Sequence, residues 1–164
     1  MIKIGLLSDT HGSLDEKIME FFQDCDEIWH AGDIGNIGVA DKISNIKILK
    51  AVYGNIDGQD VRIVYPKIQS FACENVKVLM THIGGYPGKY EKNVKVLIQK
   101  LKPDLFISGH SHILKVIYDD KNELLHINPG AAGKTGLHKL RTAVRFVING
   151  REIQDMEVFE MSRS

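Results

Sequence analysis

The sequence lacks an excess of charge of either sign. Its 21 Lys and Arg balance its 21 Asp and Glu over 164 residues, for a formal net charge of zero. No bulk field therefore recruits a polyanion, and charge-driven binding to nucleic acid or to an anionic membrane surface is not expected. Cysteine is scarce: Cys25 and Cys73 stand far apart with no metal-type spacing between them. No apolar run reaches the ~20 residues that a bilayer crossing requires. No signal-peptide pattern is present, so the two thiols are expected to be reduced and partly buried in a cytoplasmic protein. Repeats, low-complexity tracts and linkers are also missing. With 43% apolar and 26% charged residues, the composition is that of a globular protein, and residues 1–164 are expected to form a single domain with its own core.

What the sequence does contain is an alternation of apolar runs and turn signals. Residues 1–8 read as a first β-strand. Ser13, with Glu16 three residues on, predicts a helix entry. Leu14, Ile18, Phe21 and Phe22 give that helix one apolar face. Residues 26–31 and 46–53 read as further strands, separated by a short helix near 39–43. Residues 61–65, 68–73 and 76–80 read as short strands, with Glu74-Asn75 as a hairpin turn. A helix is predicted over 91–101, stopped by Pro103. Strands follow over 105–108, 114–118, 124–127, 143–148 and 153–160. Alternating strands and helices, then several short strands, point to an α/β sandwich with one mixed sheet or two stacked sheets.

The unusual residues fall at strand ends. Asp9, His11, Asp33, Asn55, His82, His110 and His112 follow apolar runs at five such ends. In open α/β sheets, ligands bind in the crevice beyond the carboxyl ends of the strands. Imidazole, carboxylate and amide oxygen without thiolate suit Mn²⁺, Fe²⁺ or Zn²⁺ better than a soft metal. Each element alone has a plainer explanation: Asp9 and His11 as caps, Asp33 and Asn55 as turn residues, His82 as cover for the core's edge. That explanation has to hold at all five ends.

Taken in order, Asp9-x-His11, Gly32-Asp33, Gly54-Asn55-x-Asp57, His82 and Gly109-His110-x-His112 resemble the calcineurin-like metallophosphoesterase superfamily. The short length and the Gly-Asn-x-Asp form resemble its small bacterial and archaeal phosphodiesterase branch. Asn128-Pro129-Gly130 matches a substrate-side loop of that branch. The resemblance implies a sandwich of two mixed β-sheets flanked by helices, and a metal-dependent phosphoesterase, more specifically a phosphodiesterase. It implies two divalent ions, with Asp9, His11 and His112 on one, Asn55, His82 and His110 on the other, and Asp33 bridging both. A carboxylate bridge screens the repulsion of dications ~3.5–4 Å apart, and a water or hydroxide shared by them attacks in line. The resemblance favours Mn²⁺, with Ni²⁺, Fe²⁺ and Zn²⁺ as alternatives. The implied substrate is a small phosphodiester or phosphomonoester, and an exposed strand edge leaves a homo-oligomer open. A retromer subunit that resembles this fold serves as a scaffold, so a non-catalytic scaffold and a metal-loaded regulatory protein are the rival readings. A scaffold is expected to have lost ligands.

Two positions depart from the superfamily pattern. Most members carry a histidine after the asparagine, where it serves the leaving group, but Ile56 has no proton to give. Asp57 then has no histidine to orient and reads as a turn or supporting carboxylate. A lost general acid typically costs ~10²–10⁴-fold. His138, in the loop 133–139, is the candidate substitute, against the plainer reading of an exposed loop histidine. Arg141 is the candidate phosphate contact for its fork geometry, with Lys134 and Lys139 beside it and a solvated surface as the rival reading. Tyr86 and Tyr90 are candidates for a groove wall. Trp29, His30 and His126 read as packed inside the fold.

Overall fold

Apolar residues recurring at every second position organise the chain into two stacked sheets. The computed structural model describes residues 1–163. In chain order the elements are β1 (Ile2–Leu7), α1 (Glu16–Phe21), β2 (Glu27–His30), α2 (Ile37–Ser44), β3 (Ile48–Ala51), α3 (Gln59–Arg62), β4 (Ile68–Cys73), β5 (Val76–Thr81), α4 (Lys92–Leu101), β6 (Leu105–Ile107), β7 (Leu114–Asp119), β8 (Leu124–Pro129), β9 (Leu140–Asn149) and β10 (Glu152–Ser162). One sheet runs β10-β9-β1-β2-β3 and the other β4-β5-β6-β8-β7. In the first, β1, β2 and β3 are parallel while β9 opposes β1. In the second, β5, β6 and β8 are parallel, with β4 and β7 antiparallel at the edges. Both sheets are therefore mixed, as the resemblance implied.

The alternation sets two faces per strand. On β1, Ile4 and Leu6 enter the core between the sheets, while Leu7 faces the helices. Gly5 lies under the helix layer, where an added Cβ would stand 2.6 Å from Phe22 Cδ1. On β5, Val76, Val78 and Met80 point inward and Leu79 outward, and β6 repeats the pattern with Leu105 and Ile107 against Phe106. The α1 and α2 helices cover the first sheet through Ile18, Phe22, Val39 and Ile43, and α4 covers the second through Val94 and Ile98. Each such buried side chain contributes ~1.5–3 kcal/mol of transfer free energy, so packing rather than helix propensity holds these short helices. Trp29 sits in the inter-sheet core, edge-on to Phe71 and Phe146 at 5.0 and 6.0 Å between ring centroids. Cys25 and Cys73 are both buried and unpaired. No helix among the described residues is long and apolar enough to cross a membrane.

Several expectations are corrected. Residues 61–65 form no strand: α3 occupies 59–62, with Val61 buried and Ile63 and Val64 72% and 57% exposed. A single inward residue per turn serves a short helix, whereas a strand there has no neighbour to pair with. The helix entry is capped by Asp15, not Ser13: the Asp15 carboxylate accepts from Lys17 N at 2.8 Å. Ser13 instead donates its amide to Thr10 O at 3.0 Å, because residues 10–14 form the loop that carries His11. β3 is shorter than 46–53, and β9 and β10 are longer than expected, with a bulge between Gln154 and Glu157.

Candidate metal centre

The carboxyl ends of β1, β2, β3, β5 and β6 supply all seven candidate donors. Main-chain bonds lock their loops together. Asp9 N donates to Gly32 O at 2.9 Å, His11 N to Asp33 O at 3.0 Å, and Gly109 N to His82 O at 2.9 Å. Asp9, His11, Asp33, His110 and His112 all hold left-handed backbone conformations, with φ between 48° and 71°. That region costs a non-glycine residue ~1 kcal/mol or more and persists only where the surroundings impose it.

Donor atoms converge in two groups: Asp9, His11 and His112 in one, Asp33, His82 and His110 in the other, each within 4.8 Å. Asp9 Oδ1 lies 3.2 Å from His112 Nε2 and 3.7 Å from His11 Nε2. Asp33 Oδ2 lies 3.1 Å from His82 Nε2 and 3.4 Å from His11 Nε2, between the two groups. Donors sharing one ion at ~2.0–2.2 Å stand ~3 Å apart, so these spacings suit coordination. Asp9 Oδ1, His11 Nε2 and His82 Nε2 are buried with no hydrogen-bond partner. An orphaned buried polar atom costs ~1–3 kcal/mol, and a divalent cation supplies the missing partner for all three. The residues present fit such ions.

The remaining atoms of these side chains are committed elsewhere. Asp9 Oδ2 accepts from Ser8 Oγ at 2.7 Å and His110 N at 3.2 Å, and Asp33 Oδ1 accepts from Ile56 N at 3.1 Å. His82 Nδ1 donates to Ala31 O at 2.8 Å, which leaves the Nε2 lone pair facing the centre. Burial alone would raise the Asp9 carboxyl, but contacts with His11 and His112 and the nearby His82 and Ser8 hold it well below the usual carboxylate range. Burial likewise opposes ionisation of Asp33, yet His82 and the Ile56 amide leave it lowered. The Asp9 carboxylate nearby raises His11. Burial works against a charged His82, but Asp33 and Asp9 outweigh it and raise that imidazole too. Protons and divalent ions thus compete for the same nitrogens.

Asn55 is exposed and lines the same cleft as His82. Gly54 lets it approach: an added Cβ there would lie 2.1 Å from Asp33 Oδ1. Asp57 is buried and accepts from Ile34 N at 3.1 Å and from Gly35 N and Gly54 N at 2.8 Å, tying the Asp33 and Asn55 loops together. Ile56 is 46% exposed beside them.

Two residues, His30 read as packed and Asn128 read as part of a substrate-side loop, brace the donor loops. His30 accepts from Gly32 N at 3.1 Å through Nδ1 and meets Thr10 Oγ1 at 3.0 Å through Nε2, bracing both loops of the first sheet. Asn128 donates to Gly109 O and Ser111 Oγ at 3.0 Å, clamping the loop of His110 and His112. Each follows an alternating strand pattern, where the sole signal is a polar residue at an inward position.

The outer candidates divide. His138 stands edge-on to His112 at 5.0 Å between centroids, with Nε2 2.8 Å from Gly133 O and Nδ1 buried without a partner. Arg141 is not a free phosphate contact: it is 1% exposed, donating to Ala132 O at 2.9 Å and to Asp15 Oδ2 at 3.2 Å. Its position at the start of β9 turns it toward the α1 cap. Lys134 and Lys139 are exposed. Tyr86 lines a cleft with His110, but Tyr90 is buried against α4 and donates to Asp119 at 2.7 Å, so it forms no groove wall at the centre.

Comparison with known proteins places this geometry in a family. A solved archaeal protein, described as a novel archaeal phosphodiesterase, superposes with a TM-score of 0.76 at 26% identity, covering 96% of this chain and 100% of that one. A Vps29 single mutant from Entamoeba histolytica superposes at 0.77 with 14% identity over 98% and 99% of the two chains, a likeness of fold alone. A protein named probable metallophosphoesterase from Methanothermobacter thermautotrophicus is 28% identical over 133 residues, 78% of this chain and 76% of that one. The model of the calcineurin-like phosphoesterase superfamily domain matches residues 2–151, and the chain belongs to that superfamily.

Proposed function

We propose that the protein is a divalent-metal-dependent phosphodiesterase acting on small phosphate esters in the cytoplasm. The observation that carries this reading is the set of orphaned donors, Asp9 Oδ1, His11 Nε2 and His82 Nε2, converging at the joined strand ends. Family membership and the likeness to an archaeal phosphodiesterase support it. Asp9, His11 and His112 would hold one ion and Asn55, His82 and His110 the other, with Asp33 between them. Mn²⁺ is the favoured ion, with Ni²⁺, Fe²⁺ and Zn²⁺ compatible with the same nitrogen and oxygen donors. When bound, the ions supply Lewis acidity at the phosphate oxygens and acidify a water.

The chain's own residues position the reactants. Ser8 and His110 N orient Asp9, Ile56 N orients Asp33, and the Ala31 carbonyl fixes the tautomer of His82. His138 is placed to serve the leaving oxygen in place of Ile56, donating through Nδ1 only as the imidazolium, because its Nε2–H is committed to Gly133 O. A scaffold role is disfavoured, because every donor position holds a competent residue. The test is hydrolysis of bis(p-nitrophenyl) phosphate against p-nitrophenyl phosphate by metal-stripped protein given Mn²⁺, Ni²⁺, Co²⁺ or Zn²⁺. Faster turnover of the diester is expected. No turnover with any of these ions overturns the reading.

A further inference from the structure

The cations at the rim of the centre are unequally committed. Lys115 lies over the Tyr86 ring at 3.6 Å, and Arg141 is buried. On the side of Asn55 and His82, a cleft of about 330 Å³ is also lined by Arg62, Lys67 and Asn93, with Glu91 as its single acid. Arg62 donates Nε to Asp57 O at 2.6 Å and Nη2 to Asn55 O at 3.3 Å, and its guanidinium covers the Tyr53 ring at 4.5 Å. Main-chain carbonyls thus hold its plane against the loop that carries Asn55. They satisfy part of its hydrogens and leave its charge uncompensated. Among the described residues, neither Arg62 nor Lys67 forms an ion pair with a carboxylate. The cleft on the opposite side, beside His110 and His112, is lined by Ile113, Leu137 and His138 and contains no Lys or Arg.

The scissile phosphate belongs at the donors themselves. Arg62 and Lys67 line the cleft with Asn55 and His82 but are not among the converging donors, which leaves them to meet a second anion. We propose that this cleft is a subsite for a second phosphate, carried on one arm of the phosphodiester, while the other arm lies against Ile113 and Leu137. The proposal rests on the phosphodiesterase reading and names its substrate class. A planar guanidinium also offers its outer face to a base, which fits a nucleotidyl arm. The chain's zero net charge confines the attraction to this cleft, matching a short ester rather than a polymer.

The test compares thymidine 5′-(p-nitrophenyl phosphate) with the same ester bearing a 3′-phosphate. The added phosphate is expected to lower KM about tenfold, the scale of a partly exposed charge-assisted hydrogen bond. A third ester with a 3′-(methyl phosphate) separates the two sources: retained preference assigns an internal phosphate, lost preference a terminal one. Arg62→Gln keeps a donor for Asp57 O but removes the charge. It and Lys67→Met should each reduce the preference, and together they should abolish it. A wild-type KM ratio near one, or a ratio untouched in both variants, overturns the proposal. Lys67→Met decides the matter where Arg62→Gln loosens the Asn55 loop. Calorimetric titration of thymidine 3′,5′-bisphosphate against thymidine 5′-monophosphate provides a readout independent of turnover. Tighter bisphosphate binding without hydrolysis of any ester sinks the hydrolase reading and keeps the subsite. Hydrolysis with no preference in KM or affinity does the reverse.

Discussion

Substituting His126 with Gln isolates the acid sensitivity that comes from burying an imidazole away from the candidate donors. His126 is 1% exposed, its ring stacked on Phe106 at 5.3 Å and its Nδ1 3.1 Å from Phe106 O. Burial pushes its pKa down to about 4, against the pull of that carbonyl. Unfolded, the same group titrates at ~6.5. Between these values the unfolded chain binds more protons than the folded one, so stability falls as pH falls from ~6.5 towards 4. Linkage gives a loss of about 2.5 kcal/mol between pH 7.5 and pH 4.5 from this residue alone. The assay is urea unfolding in EDTA at those two pH values, for wild type and His126→Gln. His30, also buried with a pKa near 4, and the donor cluster remain in both proteins and cancel in the comparison. Wild type should lose about 2.5 kcal/mol more than the variant, a midpoint difference of roughly 1–2 M urea. Equal losses in the two proteins would refute the reasoning, whatever the variant's stability at pH 7.5.

Two further outcomes follow from the centre. Gly54→Ala places a Cβ 2.1 Å from Asp33 Oδ1 and 2.4 Å from Asp33 N; it should cost about 3 kcal/mol in urea unfolding and weaken Mn²⁺ binding in calorimetry, and wild-type values for both would contradict the close approach. Mn²⁺ should raise Tm at pH 7.5 and do so less at pH 5, because His11 and His82 have raised pKa values and hold protons where the ion binds; a Tm increment independent of pH would contradict that competition.

The sandwich was legible because its determinants are local. Val76, Val78 and Met80 against Leu79 declare two buried faces without reference to any other segment. Residues 61–65 were not legible in the same way: a short apolar run fits a strand or a helical turn equally, and the absence of a neighbouring strand settles it. The seven candidate donors stood out because each follows a strand directly, and parallel strands carry their ends to one edge. Arg141 and Tyr90 show where that reasoning stops. Their directions are set by Asp15 and Asp119, partners 126 and 29 residues away in sequence. His30 was read as packing and Asn128 as part of a substrate-side loop, because their partners Thr10, Gly109 and Ser111 lie 17 to 20 residues away in sequence and leave no local signal.

The departure at Ile56 acquires a physical meaning through Asp57. A carboxylate whose purpose was to orient a neighbouring histidine would be free to turn to solvent once that histidine is gone. Asp57 is instead 3% exposed and accepts three main-chain N–H groups, from Ile34, Gly35 and Gly54. These donors belong to the loops that carry Asp33 and Asn55, so the carboxylate fixes the spacing of two candidate ligands with no histidine involved. Arg62 reinforces the same loop from its other side through Asp57 O and Asn55 O. On the phosphodiesterase reading, ion positioning and proton supply would therefore be separable in this chain. The first stays with the Asn55 loop. The second would come from His138, which lies against His112. Loss of His138 then slows poor leaving groups while sparing nitrophenolates, and that selectivity distinguishes a proton donor from a residue that merely shapes the loop.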